Sequence, residues 1–375
     1  MASGNRPPGR TLFLLPGALA LLAGLDAGLL LLGVGAPVDA TTLPQLHSML
    51  MVLGFVGTVV ALERAVALGL RWGYLAPAGL GLGGVALLTP LPTNAGRILL
   101  VIGAAALVLV YVPLWRRQPA DAVLVQAGGA VLATGAALLW LGGVAVPDLL
   151  PWLVGFLVLT IVGERLELAN VVVLDRAAAP TLVTVSATVA AGAGVALLWP
   201  AVGYPLLGAA LLGLTGWLVR YDVARRTVRG AGLPRFMAAC LLTGYAWLAA
   251  AGAFWLLAGR QSAGGGYDLV VHAVFLGFVM LMIMAHAPVI LPAVIRRPLP
   301  YHPVMYAPAA LLVGSLLLRT VVGDLREVLW AWQWGGALNV VALLAFIAIA
   351  LWSVVSAGRR ARRPRPSARR EPAAA

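Results

Sequence analysis

Four histidines are the side chains of this chain best suited to bind a metal ion or a haem iron. His47 and His272 each lie near the beginning of a long apolar segment, and His286 lies further along the second of these segments. A neutral imidazole nitrogen can bind iron or copper without burying a charge in the membrane. His302 directly precedes Pro303 and is expected in a loop.

Three apolar segments share a motif in which Gly-Phe comes nine residues before an ionisable side chain. The motif reads GFVGTVVALER from Gly54, GFLVLTIVGER from Gly155 and GFVMLMIMAHA from Gly277. These segments are the second, sixth and tenth in the chain, so the motif recurs every four segments. Internal repeats are a common way to build membrane folds. The motif therefore predicts a pseudo-threefold arrangement of four-helix blocks.

The positions of His47 and His272 within this repeat predict a pair. His47 lies seven residues before Gly54, and His272 lies five residues before Gly277. At the rise of an α-helix, the two imidazoles differ in depth by roughly 3 Å. We therefore predict that His47 and His272 bind haem b as axial ligands, although each could instead form only an interhelical hydrogen bond.

Metal binding by His47, His272 and His286 is a related expectation. Met51 lies one helical turn after His47 and adds a thioether that suits copper. Filling of the core is an alternative role for this methionine.

A second group of ionisable residues is expected at the other ends of the three motif segments. It could be a proton relay, a second metal site or a set of ion pairs. Pro288 and Pro292 are expected to kink or break the tenth segment close to this group. The predicted cluster comprises Glu63, Arg64, Glu164, Arg165, Glu167 and His286.

The composition requires a membrane environment for these segments. Apolar residues make up 62% of the 375 positions and charged residues only 10%, too few to cover a soluble globule. We predict an all-α polytopic protein with residues 1–10 as a cytoplasmic N-terminus, 11–357 as the transmembrane domain and 358–375 as an Arg-rich, disordered cytoplasmic tail. The twelve predicted spans are 11–35, 43–69, 73–92, 95–115, 121–146, 149–174, 180–199, 201–221, 234–258, 267–295, 301–323 and 328–357.

Arginines accumulate in alternate connections between the predicted spans. Short cytoplasmic loops collect basic residues, so this distribution predicts that both termini are cytoplasmic. The absence of lysine and the abundance of Ala, Gly and Leu favour a bacterial cytoplasmic (inner) membrane. The arginine-rich connections contain Arg71, Arg116, Arg117, Arg176, Arg225, Arg226, Arg229, Arg235, Arg296 and Arg297.

Two short motifs resemble the NnrS family of haem- and copper-containing membrane proteins associated with nitric oxide stress. HSMLMVLGFVG from His47 is similar to a His-x-Met-Leu…Gly-Phe segment of that family. HAVFLG from His272 is similar to its His-Ala-x3-Gly segment. The twelve-helix plan also resembles subunit I of the haem–copper oxidases. The resemblance implies haem, copper and a respiratory-chain or other redox partner.

The histidine count restricts the function that this resemblance implies. An oxidase needs a low-spin haem, a high-spin haem and a copper held by three histidines, which is more than four imidazoles can supply. We expect a haem-binding membrane protein that is not a complete oxygen reductase. A role other than catalysis is favoured over an enzymatic one. A proton-coupled secondary transporter and a membrane assembly factor for a respiratory complex are the alternatives. The membrane is the expected environment, and no nucleic-acid partner is expected.

The arginine distribution leads to a labelling prediction. With Cys240, the single cysteine, replaced by alanine, Arg226→Cys should react with a membrane-impermeant maleimide only after the cells are opened. Ser262→Cys, in a connection of the opposite set, should react in intact cells. The reverse labelling pattern would contradict the predicted orientation.

Overall fold

The computed structural model describes residues 9–38, 40–169 and 176–361. Within this part of the chain there are twelve long helical segments and no strand. Eleven are long and apolar enough to cross a membrane, and α3 is shorter than the others. The segments are α1 (Arg10–Leu31), α2 (Leu43–Leu68), α3 (Arg71–Tyr74 with Leu75–Ala86), α4 (Thr93–Arg117), α5 (Asp121–Leu141), α6 (Val146–Ala169), α7 (Ala178–Leu198), α8 (Pro200–Tyr221), α9 (Gly232–Ala258), α10 (Gly264–Ile295), α11 (Pro303–Asp324) and α12 (Leu329–Ala361).

These helices confirm that the chain is an all-α polytopic membrane protein. A helix satisfies its own backbone hydrogen bonds, which lipid cannot do. Large apolar side chains such as Leu257 and Leu198 lie on the outer surface, 85% and 67% exposed, where lipid rather than water is the favourable neighbour. The predicted N-terminus and Arg-rich tail lie mostly outside the described residues, and α12 continues to Ala361, beyond the predicted end at residue 357.

The three motif helices meet in the interior of the protein. Helix α10 contacts both α2 and α6, while most consecutive helices pack side by side around them. The sequence repeat therefore identified helices that are neighbours in space. The pseudo-threefold arrangement of the blocks stays a prediction.

Two of the three motif helices change to π-helix at the same position of the repeat. In α2 the π-helical stretch is Leu50–Gly57, and in α10 it is Ala273–Met280. The motif glycines Gly54 and Gly277 are the fifth residues of these stretches. π-helical turns inside longer helices are frequent at functional sites. Both stretches begin within three residues of His47 or His272.

The motif glycines allow close helix packing. A Cβ atom at Gly54 would lie 3.0 Å from the Cβ of Ala20 and 3.5 Å from the Cα of Gly84, so α1, α2 and α3 approach closely here. A Cβ at Gly277 would overlap the side chain of Trp247 on α9.

Pro288 and Pro292 were expected to kink or break α10, and the break is not observed. The helix continues through Pro288 and Pro292 to Ile295. It ends where Arg296 adopts a left-handed conformation with φ of 55°.

Replacement of Gly277 by alanine tests this packing. The added methyl group would displace Trp247, and overpacking of this kind costs about 1–3 kcal/mol. Gly314→Ala in α11 is the matched control, because no atom lies within 4 Å of its added Cβ. The thermal unfolding midpoint in detergent should fall for Gly277→Ala and stay level or rise for Gly314→Ala; equal midpoints would contradict the packing.

Candidate functional site

His47 and His272 line one cavity of about 520 Å³, which we call the histidine cavity. Binding sites for small molecules and cofactors commonly have volumes of about 300–1,000 Å³. The structure thus brings together the two histidines that the repeat paired. The walls are mostly apolar, and the polar side chains lining them include Gln45, His47, Ser48, Tyr267, Asp268, His272, Arg319, Trp332 and Asn339.

Helix α1 holds the ring of His47 in place. The Nδ1 atom lies 2.7 Å from the carbonyl oxygen of Gly24. A carbonyl can only accept a hydrogen bond, so Nδ1 carries the proton and Nε2 of the neutral ring keeps its lone pair. One turn along α1, a Cβ at Gly28 would lie 3.2 Å from Cε1 of His47, so glycine leaves room for the ring. Among the described residues, none forms a hydrogen bond with this Nε2.

His272 is oriented by Asp268, one turn before it on α10. Its Nδ1 lies 2.9 Å from the backbone oxygen of Asp268 and 3.2 Å from the carboxylate Oδ1. Both are acceptors, so Nδ1 donates, and in the neutral ring Nε2 keeps its lone pair. Histidines that bind metals usually donate their other N–H to a carbonyl or carboxylate, as both histidines do here.

A buried ion pair fixes Asp268 in turn. Arg319 on α11 donates from Nε and Nη2 to the two carboxylate oxygens, each at 2.7 Å. Trp332 Nε1 donates to Oδ2 at 3.3 Å. The Arg319 side chain is only 9% exposed, so its charge depends on this carboxylate for neutralisation.

Asn339 adds an unused hydrogen-bond donor to the histidine cavity. Its side chain is 3% exposed, and its Oδ1 accepts a 2.6 Å hydrogen bond from Ser315 Oγ. Its Nδ2 has no partner within the described part of the chain. A buried amide without a partner is costly, and an acceptor on a bound molecule would satisfy it. The cavity therefore offers two ligand nitrogens, one free N–H donor and apolar walls, a set that fits haem.

A second cavity of about 400 Å³, the carboxylate cavity, is lined by Glu63, Glu164 and His286 among mainly apolar residues. Arg64 lies beside it and forms ion pairs with Glu63 at 2.6 Å, Glu164 at 3.8 Å and Glu167 at 3.6 Å. Gln126 on α5 accepts a further hydrogen bond from Arg64 at 3.2 Å. These contacts join four members of the predicted cluster.

The other two members form a separate network around Asp222. Arg165 binds this carboxylate through Nε at 2.6 Å and Nη2 at 3.0 Å, and Tyr245 donates to it at 2.7 Å. Arg165 Nη1 lies 2.9 Å from Nε2 of His286, whose Nδ1 donates to the carbonyl of Met282. The lone pair of His286 therefore faces a guanidinium.

Metal binding by His286 stays a prediction, and a metal ion there would have to displace Arg165. The described residues contain no group of three His, Cys, Asp or Glu side chains that could hold a metal ion. His302 precedes α11 in the expected loop, where its ring packs against Trp352 with centroids 4.9 Å apart.

The sequence reasoning missed Asp268, Arg319 and Asp222. The sequence could have indicated Asp268, because a carboxylate four residues before a histidine lies on the same face of a helix and can contact its ring. Arg319 is an arginine inside an apolar segment, which also marks a functional candidate. Asp222 follows the end of α8 and had no such signal.

The fold is that of a multi-pass α-helical membrane protein, and its described residues line the histidine cavity and the carboxylate cavity. The family model described as Domain of unknown function (DUF8744) matches residues 10–355, and the chain belongs to this family. No curated protein and no solved structure matches the chain. The resemblance to the NnrS family and to the oxidases therefore stays a hypothesis.

The Asp268–Arg319 pair leads to a stability prediction. Asp268→Asn leaves the buried Arg319 charge without its counter-ion, and breaking a buried pair in this way costs about 3–5 kcal/mol. Asp148→Asn is the control, because its pair with Arg260 is exposed and worth less than about 1 kcal/mol. Thermal unfolding in detergent should separate the two variants.

The double variant Asp268→Asn/Arg319→Gln should recover part of this loss, since it removes both charges. Equal unfolding midpoints for Asp268→Asn and Asp148→Asn would contradict a structural role for the buried pair.

Proposed function

We propose that this protein binds haem b in the bacterial cytoplasmic membrane, with His47 and His272 as the two axial ligands. The observation that carries the proposal is the placement of both imidazoles on one cavity, each with Nδ1 committed to an acceptor. Each Nε2 then has the lone pair that an iron ligand requires. Haem held in this way would supply one-electron transfer.

The surrounding residues prepare the site for this role. Gly24 and Asp268 hold the two rings at fixed tautomers, which lowers the cost of ordering them when a ligand binds. Asn339 Nδ2 supplies a donor for an acceptor group of the bound molecule.

Copper is a second candidate metal for the same cavity. Met51 lines it one turn from His47, and thioether with imidazole is a ligand set that suits copper. The likeness of the two histidine motifs to the NnrS family favours a role in the response to nitric oxide or metal stress, with a respiratory-chain or other redox partner. The arginine-rich connections favour a cytoplasmic position for both termini.

Absorption spectroscopy of the purified protein tests the proposal. The wild-type protein should show a Soret band, and His47→Ala or His272→Ala should abolish or strongly reduce it, because each change removes one iron ligand. His302→Ala is the matched control, since His302 packs on Trp352 and does not line the histidine cavity.

Size-exclusion chromatography and thermal unfolding should show that each variant remains folded. A folded wild-type protein that stays colourless and metal-free after expression with supplied haem would contradict the proposal. Loss of the band in His302→Ala but not in His47→Ala would contradict the ligand assignment.

A further inference from the structure

The carboxylate cavity lies between the first and last helices of the chain. Helices α1 and α12 are joined near one end, where Gln333 Nε2 donates to the carbonyl of Leu32 at 3.0 Å. Further along the same two helices, the cavity lies between them. It is lined on α1 by Leu14, Ala18 and Leu21, and on α12 by Leu343, Phe346, Ile347, Ala350, Leu351 and Val354.

This cavity opens on the lipid-facing surface. Ala18 and Leu351 line it and are also exposed on the outside of the protein, Leu351 by 62%. Both belong to segments that cross the membrane. A molecule dissolved in the bilayer can therefore enter sideways between α1 and α12.

The walls favour a molecule with an aromatic ring and an apolar tail. Phe55 on α2 and Phe346 on α12 line the cavity together with Met280, Met282 and Met284 on α10. Thioether sulfur makes favourable contacts with aromatic rings, and aromatic pairs add further attraction. Most remaining wall residues are aliphatic and suit an isoprenoid chain.

The ionisable residues that line the carboxylate cavity form its polar end, and Glu164 at this end accepts no hydrogen bond from a described residue. Its nearest cation, Arg64 Nη2, is 3.8 Å away, too far for a hydrogen bond, and no other described residue donates to it. Arg64 donates instead to Glu63 at 2.6 Å. Glu164 therefore has a carboxyl oxygen available to accept a hydrogen bond from a ligand hydroxyl, and the neighbouring carboxylates disfavour a phosphate or a fatty-acid head group.

We propose that the carboxylate cavity binds a lipid quinol, with a ring hydroxyl donating a hydrogen bond to Glu164. A quinol has O–H groups that can donate to Glu164 and an aromatic ring that can contact the methionines. Its apolar tail can pack against the aliphatic walls. The site is separate from the histidine cavity, although Val56, Val279, Met280 and Leu343 line both. Quinol binding therefore does not depend on bound haem.

Binding of decylubiquinol to the full-length protein in nanodiscs, under argon, tests this proposal. Empty nanodiscs of the same lipids correct for partition into the bilayer, and decylubiquinone tests the need for a donor. We expect saturable quinol binding with at least tenfold weaker binding of the quinone, because the quinone has no O–H to donate to Glu164 and a lost hydrogen bond at a buried group costs roughly a factor of ten.

Three variants assign the site. Glu164→Gln should weaken quinol binding several-fold, because the carboxyl group that accepts the hydrogen bond from the quinol is lost. Ala18→Trp should abolish binding by filling the opening. Glu167→Gln should leave binding unchanged, since Glu167 belongs to the same ion cluster but does not line the cavity.

Unsaturable binding, equal affinity for quinol and quinone, or unchanged binding in Ala18→Trp would each overturn the proposal. His47→Ala should keep quinol binding even if it loses the Soret band. The two proposals can therefore fail independently: a colourless protein that binds quinol contradicts only the haem site, and a red protein that does not bind quinol contradicts only this one.

Discussion

Neutralisation of buried guanidinium groups is the constraint on which the interior of this protein depends. Arg165 and Arg319 have side chains only 5% and 9% exposed, and each is bound by both oxygens of an aspartate from another part of the chain. A charge in so apolar an environment is tolerated only with such a partner. The two pairs therefore fix how the helices that carry them are placed.

Each ion pair contains a residue that contacts a histidine of α10, so the two pairs determine where these histidines lie. Asp268 binds His272 as well as Arg319, and Arg165 binds His286 as well as Asp222. The two contacts hold α10 at positions on either side of its π-helical stretch, Ala273–Met280. Rotation of the helix would break both at once. Helix α10 therefore contributes a different polar side chain to each cavity: His272 to the histidine cavity and His286 to the carboxylate cavity.

Much of this arrangement follows from patterns in the sequence. Apolar length and arginine spacing predicted the helices, and the repeated Gly-Phe motif predicted that the second, sixth and tenth helices lie together. The pairing of His47 with His272 came from their similar distance to the motif glycines. These patterns work because helix geometry is regular and lipid excludes irregular backbone.

Other features depend on contacts between distant parts of the chain. The sequence grouped six ionisable residues as one cluster but gave no signal for Asp222, which binds Arg165. His286 contacts Arg165 and also lines the same cavity as Glu63 and Glu164. Both π-helical stretches contain Leu-Gly-Phe-Val, but the equivalent Gly-Phe motif of α6 stays α-helical, so the repeat alone did not predict the change in backbone hydrogen bonding. The helix also tolerates Pro288 and Pro292 without breaking.

Electron paramagnetic resonance of the purified, oxidised protein is the measurement that tests the central claim most directly. If His47 and His272 are the two axial ligands, the wild-type spectrum should show low-spin ferric haem, and either alanine variant that retains haem should show a high-spin signal. A wild-type spectrum with only high-spin haem, or a low-spin spectrum unchanged in both variants, would contradict the account.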